Sequence, residues 1–322
     1  MAESNQTAFH ISHFIIVGFP GIQDLPSRII LFTIFLLLYT VTVLENIIFI
    51  TIIKVDEKLH SPMYILIFNL AVLDLSLPSV TIPNMLQYLL TDYKAIEFSA
   101  CILQMFLFRV LNVAEGFMLA VMAYDRYQAI CNPLRYHAVM TDKCTIRLSA
   151  CCWIIAAVTA VPSTYSILST PLCGHNLIFN FFCDNVSIIA LACANPKLLS
   201  VITLCLGLIG MVTVLFFVVF SYTKILLLVL SVAKSEELWK AFSTCASHLL
   251  VIAVYIFATA FVAIFSRLPG ISKDAVIMAG VIQNILPPLV NPMIYCLKTK
   301  EIRTSIRRLA KEISTKYKGI KY

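Results

Sequence analysis

Residues 198–222 read LLSVITLCLGLIGMVTVLFFVVFSY and contain no charged side chain. A helix needs about 20 mostly apolar residues to cross the roughly 30 Å of bilayer hydrocarbon, so this stretch is long enough to span a membrane. The strands of a membrane barrel are about 10 residues long and alternate in polarity, which this stretch does not. Together with six similar stretches it predicts seven spans, at residues 29–53, 61–87, 98–124, 146–168, 198–223, 241–266 and 275–297.

The composition of the 322 residues supports an all-α membrane protein. Apolar residues make up 60% of the chain, charged residues 13%, and the mean hydropathy is +0.90. Soluble domains average about 45–50% apolar and about 25% charged residues. A disulfide-rich secreted scaffold, a disordered regulator and a cytosolic enzyme therefore do not fit this sequence.

The distribution of Lys and Arg predicts the orientation. If the N-terminus is extracellular, most of the 24 basic residues fall on the cytoplasmic side, as the positive-inside rule expects. Most of the basic residues behind the net charge of +7 then lie beside the anionic inner leaflet, so this charge does not indicate binding to nucleic acid. We predict an extracellular tail at residues 1–28, a bundle at 29–297 with a long outer loop at about 168–198, and a cytoplasmic tail at 298–322. Asn5 begins a glycosylation sequon in the predicted outer tail.

The cytoplasmic tail has the pattern of an amphipathic helix. Its apolar residues recur at helical spacing and its basic residues mostly lie off that stripe, the two sets being Ile302, Ile306, Leu309 and Ile313, and Arg303, Arg307, Arg308 and Lys311. Such a helix lies on the membrane surface and contacts lipid. A flexible basic tail is the alternative.

Four of the 11 cysteines lie on the predicted outer side, where disulfides form. Cys101 begins the third span, and Cys173, Cys183 and Cys193 lie in the long loop. The spacing alone leaves three connectivities open. A metal site is an alternative, but the loop adds only His175 as a further soft ligand, so we expect no metal there.

Four motifs mark the ends of the spans. They are Ser61-Pro-Met-Tyr64, Met122-Ala-Tyr-Asp-Arg-Tyr-Gln-Ala-Ile-Cys131, Lys240-Ala-Phe-Ser-Thr-Cys-Ala-Ser-His248 and Asn291-Pro-Met-Ile-Tyr295. Together they resemble the olfactory receptors, a family within the rhodopsin-like G-protein-coupled receptors. The segment Pro20-Gly21-Ile22 resembles the fish-like, class I branch of that family.

The resemblance implies a receptor of the plasma membrane and not an enzyme. Such a receptor binds a small odorant in the outer half of the bundle and activates a stimulatory, olfactory-type G protein, which raises cyclic AMP. It also implies the disulfides Cys101–Cys183 and Cys173–Cys193, which would tether the long loop. The residues of its conformational switch are Asp125, Arg126, Tyr127, Asn291, Pro292 and Tyr295.

Four charged residues lie at bilayer depth in the predicted spans: Glu45, Asp74, Arg109 and Glu115. Each costs roughly 2.5–3.5 kcal/mol near the bilayer centre and therefore needs an explanation. By resemblance, Asp74 and Glu115 belong to a buried polar cluster that holds a sodium ion. The nearby asparagines are Asn46, Asn69 and Asn291. The alternative is a water-filled hydrogen-bond network with one carboxyl group protonated. No other cofactor is expected.

Arg109 is the main candidate for a ligand contact. It lies eight residues after Cys101, about 12 Å deeper along a helix. A guanidinium group there would bind a carboxylate with two parallel hydrogen bonds, which favours acidic odorants. Its alternative roles are an internal ion pair with a carboxylate such as Glu115 or Glu97, or extension of its side chain towards the outer loop. By resemblance, Arg267 is a second candidate anion contact, and its alternative is an ordinary solvated loop charge.

Six further residues of the third, sixth and seventh spans are candidate ligand contacts. They are Met105, Phe108, Asn112, Tyr255, Thr259 and Gln283. Packing between helices is the alternative for each of them, except that the polar tip of a buried tyrosine such as Tyr255 needs a partner.

Other functions fit less well. A non-olfactory receptor for a small metabolite would have similar features. A solute transporter typically has inverted repeats and a polar path through the membrane, and the sequence shows neither. The seventh span has no lysine between Asp274 and Lys298, which excludes a retinal Schiff base. No paired catalytic aspartates or zinc motif is present, so no catalytic residue is predicted.

Overall fold

A computed structural model describes residues 12–319 except 92, 174, 194–195, 232–235, 266–267 and 269. Within these residues, seven helices are long and apolar enough to cross a membrane. They are α1 (Leu25–Val55), α2 (Pro62–Thr91), α3 (Phe98–Cys131), α5 (Asp142–Leu168), α7 (Pro196–Ser231), α8 (Glu236–Phe265) and α9 (Lys273–Lys298).

Shorter elements lie at the two ends of the bundle. They are the helices α4 (Pro133–Val139), α6 (Asn185–Ile189) and α10 (Lys300–Gly319), a 3₁₀ turn at Glu57–Leu59, and the strands β1 (His13–Ile16), β2 (Ala95–Glu97) and β3 (Leu177–Ile178). The strands form one sheet in the order β2-β1-β3, with β1 antiparallel to β2 and parallel to β3.

The predicted all-α bundle of seven spans is confirmed. Each predicted span corresponds to one helix, but the helices are longer than predicted. The 34 residues of α3 extend about 51 Å at 1.5 Å per residue, which exceeds the roughly 30 Å of hydrocarbon. The additional turns lie beyond the apolar stretch, where hydropathy alone carries no signal.

Polar residues fix the starts of several helices at the membrane surface. Backbone N–H groups of the first turn donate to Asp24 in α1, Thr141 in α5 and Ser272 in α9, with distances of 2.9, 3.2 and 3.2 Å. Between α3 and α4, Pro133 occupies the first turn of the new helix, where a missing N–H costs nothing.

The helices differ in how much of their surface they bury. In its most apolar window, α9 has 67% of its residues buried inside the protein, whereas α7 has 11%. The centre of the bundle is therefore formed mainly by α2, α3 and α9. The large exposed apolar side chains of α7, such as Phe216 and Phe217, lie where a membrane protein meets lipid.

The end of the bundle that carries the sheet is closed by a lid, which we define as β1, β2 and residues 169–193 as far as they are described. The disulfide Cys101–Cys183 ties the long loop to α3, and Cys173–Cys193 closes the loop on itself, with Cα–Cα distances of 5.4 and 4.9 Å. This pairing leaves no thiolate for the alternative metal site. We call this end the lid face and the other end the Arg126 face.

On the Arg126 face, α10 packs against the bundle. Ile302 is 1% exposed, and Ile306 and Leu309 lie against the main core of the bundle. Much of the apolar stripe of α10 therefore packs against the protein. The Ser305 hydroxyl donates to Asp56, whose carboxylate also lies 3.4 Å from Arg308. The hydrogen bond from Ser305 and, to a lesser extent, the positive charge of Arg308 hold the pKa of Asp56 below its usual value.

Replacing Cys183 by serine should reduce delivery of the protein to the cell surface, because the loop then loses its covalent tie to α3. Surface labelling of intact cells measures this. Cys151→Ser is the matched control, since Cys151 is an exposed free cysteine on α5. Equal surface levels for the two variants would contradict the proposed role of the tether.

Candidate functional site

Hydrogen bonds join α3, α8 and α9 at one level of the bundle, below the lid. The Tyr255 hydroxyl of α8 donates to the main-chain carbonyl of Asn112 on α3 at 3.0 Å. On the next pair of helices, the Gln283 amide of α9 donates to the Thr259 hydroxyl of α8 at 3.4 Å. Four of the predicted ligand contacts are thus brought together on three helices.

Gly116 allows the close approach of α3 and α8. A Cβ atom added at this position would lie 2.8 Å from the Tyr255 hydroxyl oxygen, which is too short for any real contact. Only glycine leaves room for the tyrosine to reach the Asn112 carbonyl.

Arg109 lies on α3, one turn from Asn112 towards the lid. Its side chain is half-buried, and its Nε atom is buried with no hydrogen-bond partner among the described residues. Neither of the alternative partners, Glu115 and Glu97, forms a salt bridge with it in the described part of the chain. A buried donor without a partner is costly, so this nitrogen can receive an acceptor from a bound molecule.

Aromatic side chains of the lid close this level from above. Phe182 is 4% exposed and its ring meets that of Phe108 edge-on, with 4.6 Å between centroids. The neighbouring Phe181 is fully buried and contacts α9 at Gly280. Met105, also a predicted ligand contact, is fully buried in a cluster with Cys101 and Cys183, so its side chain packs within the lid.

A buried polar cluster lies deeper in the bundle. The Asn291 amide donates to both carboxylate oxygens of Asp74, at 3.2 and 3.1 Å. Three buried oxygens have no hydrogen-bond partner among the described residues: Asn46 Oδ1, Glu115 Oε1 and Asn291 Oδ1. Asn69 is not part of this arrangement, because its amide oxygen faces Trp153 on α5 at 3.5 Å.

Oxygen atoms of carboxylates and amides are the ligands that hard cations prefer, so this cluster fits a sodium ion in chemical type. Water molecules together with one protonated carboxyl group would satisfy the same atoms.

On the Arg126 face, Asp125 holds Arg126 in a charge pair and accepts a hydrogen bond from its Nε at 3.0 Å. The Tyr136 hydroxyl of α4 donates to the other carboxylate oxygen of Asp125 at 2.9 Å. Burial, followed by the negative charge of Asp125, raises the pKa of Tyr136. Asp125 therefore holds the guanidinium group of Arg126 against α3, the helix that carries both residues.

Aromatic contacts surround this charge pair. The rings of Tyr127 and Phe220 are 6.0 Å apart, and those of Tyr295 and His248 are 5.3 Å apart. The Tyr295 hydroxyl is buried and has no partner among the described residues. Pro292 lies inside α9, one residue after Asn291. The predicted switch residues are therefore distributed over two linked clusters, one at Asp74 and one at Asp125.

Comparisons with known proteins agree on one family. The sequence model described as olfactory receptor matches residues 35–313. Human Olfactory receptor 2A12 is 36% identical over 307 residues, which are 95% of this chain and 97% of that protein. The chain belongs to the olfactory receptor family. Olfactory receptor 1G1 of Gorilla gorilla gorilla is 37% identical over 300 residues, 93% of this chain and 95% of that protein.

The fold of this olfactory receptor is that of rhodopsin. The crystal structure of squid rhodopsin matches it with a TM-score of 0.69 at 16% identity, over 90% of this chain and 87% of the rhodopsin chain. Membership of the olfactory receptor family makes the protein a multi-pass receptor of the plasma membrane, which senses an odorant and has a G protein as its partner.

Two predicted residues of the receptor, Arg267 and Asn5, lie outside the described residues. The structure adds residues that the sequence did not indicate. The Gln104 amide donates to the Val80 carbonyl at 2.8 Å, and its oxygen accepts from the Cys183 N–H at 2.9 Å, which holds the loop over the site. The sequence signals for the role of the loop were its cysteines and the aromatic pair Phe181-Phe182 that precedes Cys183.

Replacing Gly116 by alanine should destabilise the receptor by about 1–3 kcal/mol, the usual cost of overpacking, because the new methyl group displaces the Tyr255 hydroxyl. Thermal unfolding of the purified receptor measures this. The same change in a Tyr255→Phe background should cost much less, since the nearest remaining ring atom is 3.4 Å from the added Cβ. Equal losses in both backgrounds would show that the contact is not the cause.

Proposed function

We propose that this olfactory receptor detects small carboxylic acids, which bind between α3, α8 and α9 with their carboxylate on Arg109. The observation that carries the proposal is the buried Nε of Arg109, which has no partner among the described residues and lies one turn above the Tyr255–Asn112 contact. Arg109 is half-buried and lies next to Phe108, on which the ring of Phe182 packs, and an ion pair in such surroundings contributes more than one at an exposed surface. Arg267 would supply a second cation.

The proposed orientation places the lid face outside the cell and the Arg126 face in the cytosol. The excess of Lys and Arg in the segments of the Arg126 face supports it, as does the sequon at Asn5. The disulfides of the lid then lie on the oxidising side. In this orientation, the exposed Arg303 and Arg307 of α10 would contact anionic lipid.

The proposed partner is a stimulatory, olfactory-type G protein, so that activation raises cyclic AMP. In the described arrangement Arg126 is held by Asp125, and Tyr136 occupies the second oxygen of that carboxylate. Release of Arg126 would expose its donors to main-chain carbonyls of the G protein. A ligand drives this change only by the difference between its affinities for the two states.

Two finer assignments belong to this proposal. Membership of the fish-like, class I branch is supported by Pro20-Gly21-Ile22. A sodium ion at Asp74 and Glu115 is supported by the donor set of the buried cluster, and a water network with one protonated carboxyl group is its competitor. No organic cofactor is proposed.

Arg109→Ala should raise the concentration of acid needed for half-maximal response at least roughly thirtyfold, since loss of one partner of a buried charge pair costs about 2–5 kcal/mol. Cyclic AMP is measured in cells that co-express the olfactory-type G protein, with straight-chain carboxylic acids from butanoic to decanoic acid and their methyl esters.

Arg267→Ala is tested in parallel, and surface labelling corrects for expression. The ester arm separates charge recognition from hydrophobic fit. An unchanged acid response in both arginine variants, or equal potency of acids and esters on the wild type, would contradict the proposed ligand class.

Arg126→Ala should abolish the cyclic AMP response while the receptor still binds the acid, because Arg126 lies on the face opposite the ligand site. Binding is followed as the rise in unfolding temperature that the activating acid produces in the purified receptor. Loss of this thermal shift together with the signal would show that Arg126 is needed for the fold or the ligand site and does not act in coupling.

A further inference from the structure

The described amino-terminal segment, residues 12–23, forms a strap across the lid face. Its strand β1 is the central strand of the sheet, with β2 on one side and β3 on the other. The N–H of Ile15 donates to the Asn176 carbonyl and that of Ile16 to the Lys94 carbonyl, both at 2.8 Å. The strap therefore joins the start of α3 to the long loop, two parts of the lid whose strands do not pair with each other.

The strap continues along the loop towards the ligand site. The N–H of Val17 donates to the Ile178 carbonyl at 2.8 Å, and that of Gly18 to the Asn180 carbonyl at 3.3 Å. Gly18 has a φ of 65°, a conformation in which glycine is favoured. These bonds bring the strap to the residue before Phe181.

Apolar side chains of the strap are buried in two different clusters. Phe14 and Ile16 are fully buried beside the Cys101–Cys183 disulfide. Phe19 is 4% exposed and lies in the cluster that contains Phe181, Phe182 and residues of α9. The strap thus spans the lid from the α3 side to the α9 side.

A polar clasp fixes the far end of the strap. The Gly21 N–H donates to both carboxylate oxygens of Asp274, at 3.2 and 3.0 Å. A Cβ atom on Gly21 would lie 2.3 Å from one of those oxygens, so only glycine permits the contact. Asp274 is in the first turn of α9, but the cap of that helix is the hydroxyl of Ser272. The carboxylate is therefore directed to the strap.

We propose that Gly21 and Asp274 are positioning residues for the ligand site, because their clasp keeps the strap on the loop and the loop keeps Phe182 against Phe108. Phe108 is adjacent to Arg109, so a released strap loosens the roof of the proposed carboxylate site. The part of this inference that concerns ligand retention rests on the proposed function, whereas the clasp itself does not.

Hydrogen–deuterium exchange of the full-length receptor in lipid nanodiscs tests the clasp without any odorant. In Asp274→Ala, the amides of Ile15, Ile16 and Val17 should exchange on the order of ten- to a hundredfold faster, the factor that corresponds to a hydrogen bond to a charged group. Asp274→Asn keeps one acceptor oxygen but loses the charge, so its exchange should lie between those of the wild type and Asp274→Ala.

Asp142→Ala is the matched acidic control, because Asp142 is an exposed residue in the first turn of α5, whose cap is Thr141, and lies at the opposite end of the bundle. It should leave the exchange of the strap unchanged. Faster exchange throughout the first turns of α9, with no change in the strap, would show that Asp274 acts only on its own helix and would overturn the proposal. Unchanged exchange everywhere in Asp274→Ala would overturn it as well.

The ligand part is tested with the straight-chain acids from butanoic to decanoic acid. Asp274→Ala should reduce their potency by at least about tenfold at equal surface level, and Asp274→Asn should reduce it less. If acids activate the wild type and Asp274→Ala equally, the strap is not part of the ligand site and that part of the inference is wrong. If the strap is released in Asp274→Ala but no acid activates the wild type, the clasp stands and the carboxylate assignment falls.

Discussion

The hydrocarbon of the bilayer contains no water, so every backbone polar group inside it must find a hydrogen-bond partner within the protein. The seven long helices satisfy this constraint, and the irregular backbone of the lid lies where it no longer applies. Once the backbone is paired, the few polar side chains inside the bundle stand out, because each is either bonded to another helix or able to bind a further group. Tyr255 belongs to the first kind, and Arg109 and Glu115 belong to the second.

The bundle could be predicted from the sequence because its main signal, a run of apolar residues, is local. The sheet could not, since β1 has four residues and its partners lie about 80 and 160 residues further along the chain. Pairing over such separations leaves no periodic trace in so short a strand. The clasp between Gly21 and Asp274 escaped prediction for the same reason, although the glycine itself was conspicuous in its motif.

Part of the geometry of the candidate site follows from the sequence. Asn112, Tyr255, Thr259 and Gln283 lie close together, because helical spacing determines their depth and face. Their role as ligand contacts stays a prediction. Their partners were not predictable, since Tyr255 donates to a main-chain carbonyl, which no side-chain pattern encodes. The surroundings of Met105 could not be predicted from its position on α3. The long loop folds over this residue, and its side chain is buried against the lid beside Cys101 and Cys183.

The helix α8 connects the candidate ligand site to the Arg126 face. Tyr255 ties this helix to α3 at the level of Asn112, and His248, seven residues earlier or about 10 Å along the helix, meets the ring of Tyr295. These two contacts make α8 the physical connection between the two levels, and we expect a displacement at one level to be felt at the other. A ligand that inserts beside Arg109 must therefore either preserve the Tyr255–Asn112 contact or replace it. A ligand shifts the receptor between states only by the difference between its affinities for them, and a ligand that replaces the Tyr255–Asn112 contact has a direct source of such a difference.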